Sequence, residues 1–264
     1  MPDLTTLEVS DGLAVITLCN PPANGYSYEL MRALDAHVLE ARYREDVHAI
    51  VLTGAGDKFF CAGADIDALR AMSPGFKYNF CLHANETLLR LEQTPKLVVA
   101  ALNGHTVGGG LEVALACDLR LARRGAGKLG LPEVKLGVLP GTGGTVRLTR
   151  TVGRARALEL MVTGRLVDMD EARDLGLVHE VLDAPDRDAF LAAVRGWCRK
   201  LVPPEGASKA VGAIKRAVHG GADVGLYEAL GLERELQQQL FLADDAREGL
   251  AANRERRPPR FTGA

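Results

Sequence analysis

The chain has 264 residues, of which 47% are hydrophobic and 25% are charged, so it can build a sizeable core and is not intrinsically disordered. Its length fits one large domain, or one domain with a small appendage. The formal net charge is −2 with acids and bases interspersed, whereas a protein whose main partner is nucleic acid usually carries a basic excess or stripe. This balance argues against nucleic acid as a partner, although a local cationic pocket could still hold a phosphate-bearing ligand.

The cysteines and the apolar segments indicate the compartment. Five cysteines without a CxxC pair or a regular spacing are typical of reduced thiols, most of them small core residues. The N-terminal stretch MPDLTTLEVSDG has no basic region followed by an apolar run, so no signal or transit peptide is expected. No segment approaches the ~20 apolar residues that a membrane-spanning helix needs. The sequence therefore predicts a soluble, cytoplasmic protein that has no membrane partner.

The first fifty or so residues predict a strand, a helix and a second strand. Leu13 to Leu18 is a short β-rich run that ends at the turn signal NPPANG. Ser27 is a suitable N-cap for the helix that follows. The apolar stripe of this helix has helical spacing and consists of Leu30, Leu34, Val38 and Ala41. Ala49 to Thr53 is a continuous apolar run, which is typical of a buried parallel strand.

The middle of the chain alternates helices and strands. Ala68 to Glu92 has a helical pattern, but Pro74 lacks a backbone donor and should end one helix and begin another. Leu97 to Leu102 and Leu119 to Ala122 predict two further strands, with a short helix at Leu111 to Cys117 between them. Strand–turn–helix units of this kind predict an α/β fold with a largely parallel arrangement, and on composition alone a doubly wound sheet.

The last third of the chain is helical in pattern. Asp168 and Glu171 form a capping pair at the start of a helix that Gly176 ends. From about Pro204 the sequence is rich in Ala, Leu, Glu and Arg and has no strand signal. The C-terminal region is therefore predicted to consist of helices.

Two turns of small residues and two acids form the outline of a catalytic site. Gly108–Gly110 precede the helix that carries Glu112, and Glu133 follows Pro132 at the next strand-to-loop boundary. A second small-residue turn, FCAGAD, lies at residues 60–65. Backbone N–H groups at such turns can bind a developing oxyanion. Two carboxylates beside them can move protons.

Each of these features also has a purely structural interpretation. A tight turn that needs a positive φ would explain one glycine, but not three in a row. Glu112 could complement the helix dipole, which is worth about 0.3–1 kcal/mol. Glu133 could be a solvated acid at the edge of a loop. Burying an acid among the apolar neighbours of Glu112 is costly unless the acid is needed, yet taken singly neither acid is decided by the pattern.

Four ordered blocks give the chain a family resemblance. FCAGADI, NGHTVGGGLEVALACD, LGLPEVKLGVLPGTGGT and EGLAANRERRPPRF resemble the enoyl-CoA hydratase/isomerase (crotonase) superfamily, and the resemblance runs from Leu13 to Phe261. It implies a crotonase-type spiral of ββα units rather than a doubly wound sheet, followed by a helical C-terminal trimerisation region. It divides the chain into a spiral catalytic core, residues 1–200, and a helical oligomerisation region, residues 201–264. The implied assembly is a homotrimer or a dimer of trimers.

The resemblance also implies roles for the acids and the turns. Glu112 and Glu133 coincide with the two acids that hydratases of this family place on either side of the substrate double bond. Water activation falls mainly to Glu112 and protonation of the substrate Cα mainly to Glu133. The N–H groups of Ala64 and Gly109 would form the oxyanion hole for the thioester carbonyl. The implied enzyme is a 2-enoyl-CoA hydratase, which adds water reversibly to an α,β-unsaturated acyl-CoA and gives a 3-hydroxyacyl-CoA.

Coenzyme A would arrive as part of the substrate, and no other cofactor is expected. The six histidines include no HExxH or HxxxH pair, so the sequence gives a metal site little support. By resemblance, Arg256, beside Arg257, contacts the 3′-phosphate. The residues whose backbone would read the adenine are Ala62, Ala64, Asp65 and Ile66.

Two alternatives stay open, and two positions depart from the family pattern. A Δ3-Δ2 enoyl-CoA isomerase or another chemistry of the superfamily is the nearer alternative, although isomerases often lack one of the two acids. An RNA-binding relative would need a basic helix face, and the first predicted helix carries mixed charges. The departures are Asn24–Ser27, where Asn-Ala-Leu is usual, and Asn253, where an aromatic residue is often found.

Overall fold

The strands of the chain form two β-sheets. A computed structural model of the protein describes residues 3–64 and 66–264. The larger sheet contains, in spatial order, β1 (Thr5–Ser10), β2 (Leu13–Leu18), β3 (Ala49–Gly54), β5 (Leu97–Leu102), β7 (Leu119–Arg123) and β10 (Glu180–Leu182). The smaller sheet contains β4 (Phe59–Cys61), β6 (His105–Val107), β8 (Lys128–Gly130) and β9 (Val167–Asp168).

From β3 to β8, successive strands go alternately to the two sheets. The chain passes from β3 to β4, from β5 to β6 and from β7 to β8, and each of these steps leads from the larger sheet to the smaller one. Within the sheets only β1–β2 and β8–β9 pair antiparallel, and the other pairs are parallel. The predicted spiral of ββα units is therefore confirmed. A doubly wound sheet, which composition alone suggested, would have placed these strands in one sheet.

Helices fill the connections and the C-terminal region. In chain order they are α1 (Tyr28–Tyr43), α2 (Ile66–Ala71), α3 (Pro74–Gln93), α4 (Gly109–Leu115), a 3-10 helix (Glu133–Leu136), α5 (Gly144–Val152), α6 (Arg154–Thr163), α7 (Met169–Asp174), α8 (Arg187–Arg199), α9 (Ser208–Gly221), α10 (Leu226–Phe241) and α11 (Asp244–Glu255). No helix of the described residues is long and apolar enough to cross a membrane.

The predicted helix boundaries follow from local hydrogen bonds. The Ser27 hydroxyl accepts the N–H of Leu30 at 3.1 Å, and the Asp168 carboxylate accepts the N–H of Glu171 at 2.8 Å. Each bond satisfies an N–H group that has no partner inside its helix. Pro74 is the first residue of α3, and α2 ends three residues before it. The predicted interruption at Pro74 is thus confirmed.

Both faces of the central strands of the larger sheet are covered, which explains why β2, β3 and β5 are apolar at most consecutive positions. Leu13 and Val15 of β2 pack in a cluster with Phe190 of α8, whereas Ile16 packs on the other face with Leu34 of α1. Alternate residues of a strand point to opposite faces, so a strand buried on both sides loses the polar–apolar alternation. The segments that carry the candidate site follow β4, β6 and β8 of the smaller sheet.

The region after Pro204 consists of α9, α10 and α11, as predicted. α9 and α10 pack against each other, and α11 packs against α10. Many of their large apolar side chains face solvent in the single chain, including Ile214, Val218, Leu226, Tyr227, Phe241 and Leu242. The assignment of this region to oligomerisation stays a prediction.

Candidate active site

The three consecutive glycines are required for three different reasons. Gly108 has a φ of +57°, which side-chain-bearing residues rarely adopt. A Cβ on Gly109 would lie 2.7 Å from the ring of Tyr26, and one on Gly110 would lie 2.2 Å from the carbonyl oxygen of Cys61. The glycine turn is therefore pressed between a buried aromatic ring and the end of β4.

The second small-residue turn lies directly against the first. Gly63 has a φ of +86°, and a Cβ there would lie 3.0 Å from the carbonyl oxygen of Val107 and 3.7 Å from the Cα of Gly108. Ala64 follows Gly63 in the chain, so the segments that carry Ala64 and Gly109 are brought together. Gly109 is also the first residue of α4, a position whose N–H has no acceptor within the helix. An oxyanion hole made by these two residues stays a prediction, but the turns that it needs adjoin.

Glu112 is buried and held by three donors. Its side chain is only 3% exposed. One carboxylate oxygen, Oε1, accepts the N–H groups of Thr142 at 2.7 Å and Gly144 at 2.8 Å. The other oxygen, Oε2, accepts the hydroxyl of Thr142 in a short hydrogen bond. Donors of this kind replace the water that a buried carboxylate loses, and they hold the Glu112 carboxylate in a fixed orientation.

Glu133 lies over the same turn in a different environment. It begins the 3-10 helix, and its Oε1 would lie 3.2 Å from a Cβ on Gly108. Its Oε2 is buried and has no hydrogen-bond partner among residues 3–64 and 66–264. Burial raises the pKa of Glu133 to about 7, and the nearby Glu112 carboxylate acts in the same direction. Glu133 can therefore hold or release a proton near neutral pH.

Sequence reasoning missed Tyr26, which touches both turns. The N–H of Tyr26 donates to the carbonyl of Gly63 at 2.8 Å, while its ring covers Gly109. Its hydroxyl is buried and has no aligned hydrogen-bond partner within the described part of the chain. Burial raises the pKa of Tyr26 well above its ordinary value, and the Glu112 carboxylate adds to the rise, whereas the nearby Thr142 hydroxyl opposes it. The departure from the family pattern at Asn24–Ser27 was the only signal for this residue.

The segment that the resemblance links to adenine lies at the surface beside the turns. Ala62 and Ala64 are half-buried, and the N–H of Ala62 donates to the carbonyl of Ala23 at 3.0 Å. Ile66 begins α2 and is 49% exposed, although it is apolar. Asp65 lies outside the described residues. Contact of this segment with coenzyme A stays a prediction.

The C-terminal arginines differ in how they are held. Arg257 forms ion pairs with Glu248 and Glu255, both at 2.6 Å. Arg256 is exposed at the C-terminus of α11, and its guanidinium forms no ion pair with any described residue. No hydrogen bond between described residues joins Arg256 to Ala62. Its contact with the 3′-phosphate of coenzyme A is thus a prediction that rests on the resemblance alone.

His105, which precedes the glycine turn, has a structural role. Its Nδ1 accepts the N–H of Lys128 at 3.2 Å, between β6 and β8. No group of three or more His, Cys, Asp or Glu side chains that could hold a metal ion occurs in the ranges 3–64 and 66–264. The role of the two carboxylates as the acid and base of the site stays a prediction.

Comparison with known proteins gives matches along the whole chain. The family model described as enoyl-CoA hydratase/isomerase matches residues 8–264. A putative enoyl-CoA hydratase/isomerase of Bacillus subtilis (strain 168), YngF, is 36% identical over 259 residues, which are 96% of each chain. A short-chain-enoyl-CoA hydratase of Clostridium acetobutylicum is 35% identical over 95% of this chain and 94% of its own. A solved structure of an enoyl-CoA hydratase from Geobacillus kaustophilus HTA426 is 42% identical, with a TM-score of 0.94 over 100% of this chain and 98% of the other.

Proposed function

The chain belongs to the enoyl-CoA hydratase/isomerase family, and we propose that it is a 2-enoyl-CoA hydratase. It adds water reversibly across the double bond of an α,β-unsaturated acyl-CoA and gives a 3-hydroxyacyl-CoA. One observation carries the proposal: two carboxylates that differ in their hydrogen bonding lie beside a single glycine turn. Glu112 is held by three donors, whereas the pKa of Glu133 is raised to about 7 by burial.

The two carboxylates divide the proton transfers of hydration. Ionised Glu112 takes a proton from the attacking water, and protonated Glu133 delivers a proton to the substrate Cα. The buried Oε2 of Glu133 has no hydrogen-bond partner among the described residues. It can therefore form a hydrogen bond to the substrate or to the water. The hydroxyl of the water bonds to the substrate Cβ and a proton bonds to Cα, so water and the enoyl-CoA supply every atom of the product. The reaction needs no oxidant and no reductant.

The two small-residue turns stabilise the negative charge that develops on the thioester oxygen. In this proposal the N–H groups of Ala64 and Gly109 donate to that oxygen as the enolate forms. One such donor typically contributes ~3–4 kcal/mol of transition-state stabilisation. The support is that a Cβ built on Gly63, which precedes Ala64, would lie only 3.7 Å from the Cα of Gly108.

Coenzyme A enters as part of the substrate, and we propose no further cofactor. The adenine lies beside Ala62, Ala64, Asp65 and Ile66, and Arg256 reaches the 3′-phosphate. The availability of the Arg256 charge supports this choice over Arg257, which is engaged by Glu248 and Glu255. Five free cysteines are in keeping with a reducing, cytoplasmic setting.

The test is the hydration of crotonyl-CoA by the variants Glu112→Gln and Glu133→Gln. Each should lose at least ~100-fold in kcat with the fold intact, since a positioned acid or base typically contributes that much. Glu180→Gln, an exposed acid at the start of β10, is the matched control and should keep wild-type turnover. Near wild-type kcat in either site variant would overturn the two-carboxylate mechanism. A 3-enoyl-CoA assayed in parallel separates hydration from isomerisation.

A further inference from the structure

Arg147 forms a hydrogen bond to the loop whose residues Thr142 and Gly144 bind Glu112. Thr142 presents its N–H and hydroxyl to Glu112, and its carbonyl accepts Nη1 of Arg147 at 3.1 Å. Nε and Nη2 of Arg147 donate to the two carboxylate oxygens of Glu92 at 2.7 and 2.9 Å. The Arg147 and Glu92 side chains are only 11% and 20% exposed. A continuous series of hydrogen bonds thus runs from Glu92 at the end of α3 to the Glu112 carboxylate.

The backbone beside Thr142 lies directly against the guanidinium of Arg147. Gly143 has a φ of +109°, and a Cβ there would lie 1.9 Å from Nη1 of Arg147. The N–H of Arg147 also donates to the carbonyl of Gly143 at 2.8 Å, in the first turn of α5. The loop therefore closes directly onto the guanidinium, so a displacement of Arg147 moves Thr142 with it.

We propose that Arg147 and Glu92 are positioning residues that fix the orientation of the Glu112 carboxylate through Thr142. This inference rests on the proposed function, because it assumes that Glu112 acts on water. A misplacement of about 1 Å can cost a catalytic group ~100-fold in rate. Only an arginine can form the bidentate pair with Glu92 and still reach the Thr142 carbonyl, because its planar fork carries five donors.

The competing interpretation is a structural ion pair that merely joins α3 to α5. Such a pair would affect stability, and the chain contains a matched example. Arg90, also on α3, binds both carboxylate oxygens of Asp35 at 2.8 and 3.2 Å and joins α3 to α1. The Asp35 carboxylate is about as exposed as that of Glu92, at 16% against 20%, and the pair does not contact Thr142, so Arg90→Lys is the control for loss of an ion pair alone.

The experiment measures kcat and KM on crotonyl-CoA, melting temperature, and the affinity for butyryl-CoA, a saturated thioester that cannot be hydrated. Arg147→Lys and Glu92→Gln should each lower kcat roughly 10- to 100-fold, with KM and butyryl-CoA affinity changed less than about twofold. The double variant should lose little more than the worse single variant, because both residues act through Thr142. Arg90→Lys should lower the melting temperature without lowering kcat.

Several results would overturn the inference. One is a folded Glu92→Gln or Arg147→Lys protein with kcat within twofold of wild type, and another is a kcat loss that Arg90→Lys reproduces. Failure of both site variants to fold while Arg90→Lys folds would identify a structural clamp and also refute the positioning role. Absence of hydration by the wild-type protein would refute the proposed function first, and this outcome is visible before any variant is assayed.

Discussion

Two carboxylates beside one turn differ because their neighbours differ. Glu112 receives two backbone N–H groups and one hydroxyl from Thr142 and Gly144, which hold its carboxylate in one orientation. Glu133 has a buried oxygen that no described residue satisfies, and desolvation raises its pKa to about 7. Environments that separate two acids in this way assign one of them as the base and the other as the acid.

The first prediction is a pH dependence set by Glu133. As the pH rises through about 7, Glu133 loses the proton that it must give to the substrate Cα. The kcat/KM for hydration of crotonyl-CoA should therefore fall above this pH. Dehydration of the product should fall in parallel, because the reaction consumes no net proton. Both directions need one proton shared between Glu112 and Glu133. Steady-state assays of hydration and of dehydration between pH 5.5 and 9 measure both pH profiles.

A thioester without a phosphate controls for titration of the substrate. Phosphate monoesters have a second pKa near 6, so the 3′-phosphate of coenzyme A titrates close to the pH at which kcat/KM should fall. A crotonyl thioester of pantetheine carries no phosphate, and its kcat/KM should fall at the same pH. A profile that is flat or rising between pH 6 and 9 with this substrate would contradict the role given to Glu133.

At single positions, the sequence predicted the groups that carry charge better than the groups that position them. Glu112 and Glu133 were found because each stands in a recognisable block beside a glycine or a proline. Thr142 contacts Glu112 across 30 residues of chain, and Arg147 contacts Glu92 across 55. Contacts of this separation leave no periodicity in the sequence. They depend on how α3, α4 and α5 pack, which only the folded chain defines.

At the scale of elements, short strands lead into the candidate site. β4, β6 and β8 have three residues each, and they lead into the two small-residue turns and the segment before Glu133. Three residues give too little alternation to reveal a strand, so these were not predicted, whereas β2, β3 and β5 were. β1 was missed as well, because its sequence TTLEVS mixes polar and apolar residues at a partly exposed edge. The spiral was therefore predicted from family resemblance and not from periodicity.

The second prediction concerns the glycine turn as a unit. Gly109→Val places carbon atoms where the Tyr26 ring lies, since even a Cβ would come within 2.7 Å of it. The turn must shift, and the N–H of residue 109 with it. We expect kcat on crotonyl-CoA to fall far more than the affinity for free coenzyme A, because the lost bond strengthens only as charge develops. Loss of enoyl absorbance gives kcat, and calorimetry gives the affinity.

Two further variants make this prediction sharper. Gly109→Ala introduces the Cβ alone and should show the same selective loss to a smaller extent. Gly75→Ala, in the first turn of α3, is the control, because nothing lies within 4 Å of the added carbon. If Gly109→Val stays folded and keeps its kcat, the turn is only structural, and the oxyanion hole proposed for Gly109 and Ala64 is wrong.

At the scale of the whole molecule, apolar side chains are exposed at several places among the described residues, and two of these places bear on assembly. One is the C-terminal region, where Leu226 is 75% and Tyr227 is 79% exposed. The other directly follows Glu133, where Leu136 is 52% and Leu139 is 67% exposed. Isolated apolar residues at a surface are normal, but extended groups of them indicate surfaces that a partner covers. The first of these places lies in the proposed oligomerisation region, residues 201–264, and the second lies in the proposed core, residues 1–200, so the division itself stays a prediction.

The last prediction is the assembly itself. Light scattering at micromolar concentration should give the mass of a trimer, or of a dimer of trimers, of 28.3-kDa chains. The double variant Leu226→Lys/Tyr227→Lys should shift this mass towards the monomer, because charges replace the apolar surface that the neighbouring subunit would bury. Tyr43→Lys is the control: Tyr43 is 80% exposed but ends α1, outside the C-terminal region, so its substitution should leave the mass unchanged. A wild-type monomer would contradict the prediction, and a double variant that stays trimeric would move the interface away from the start of α10.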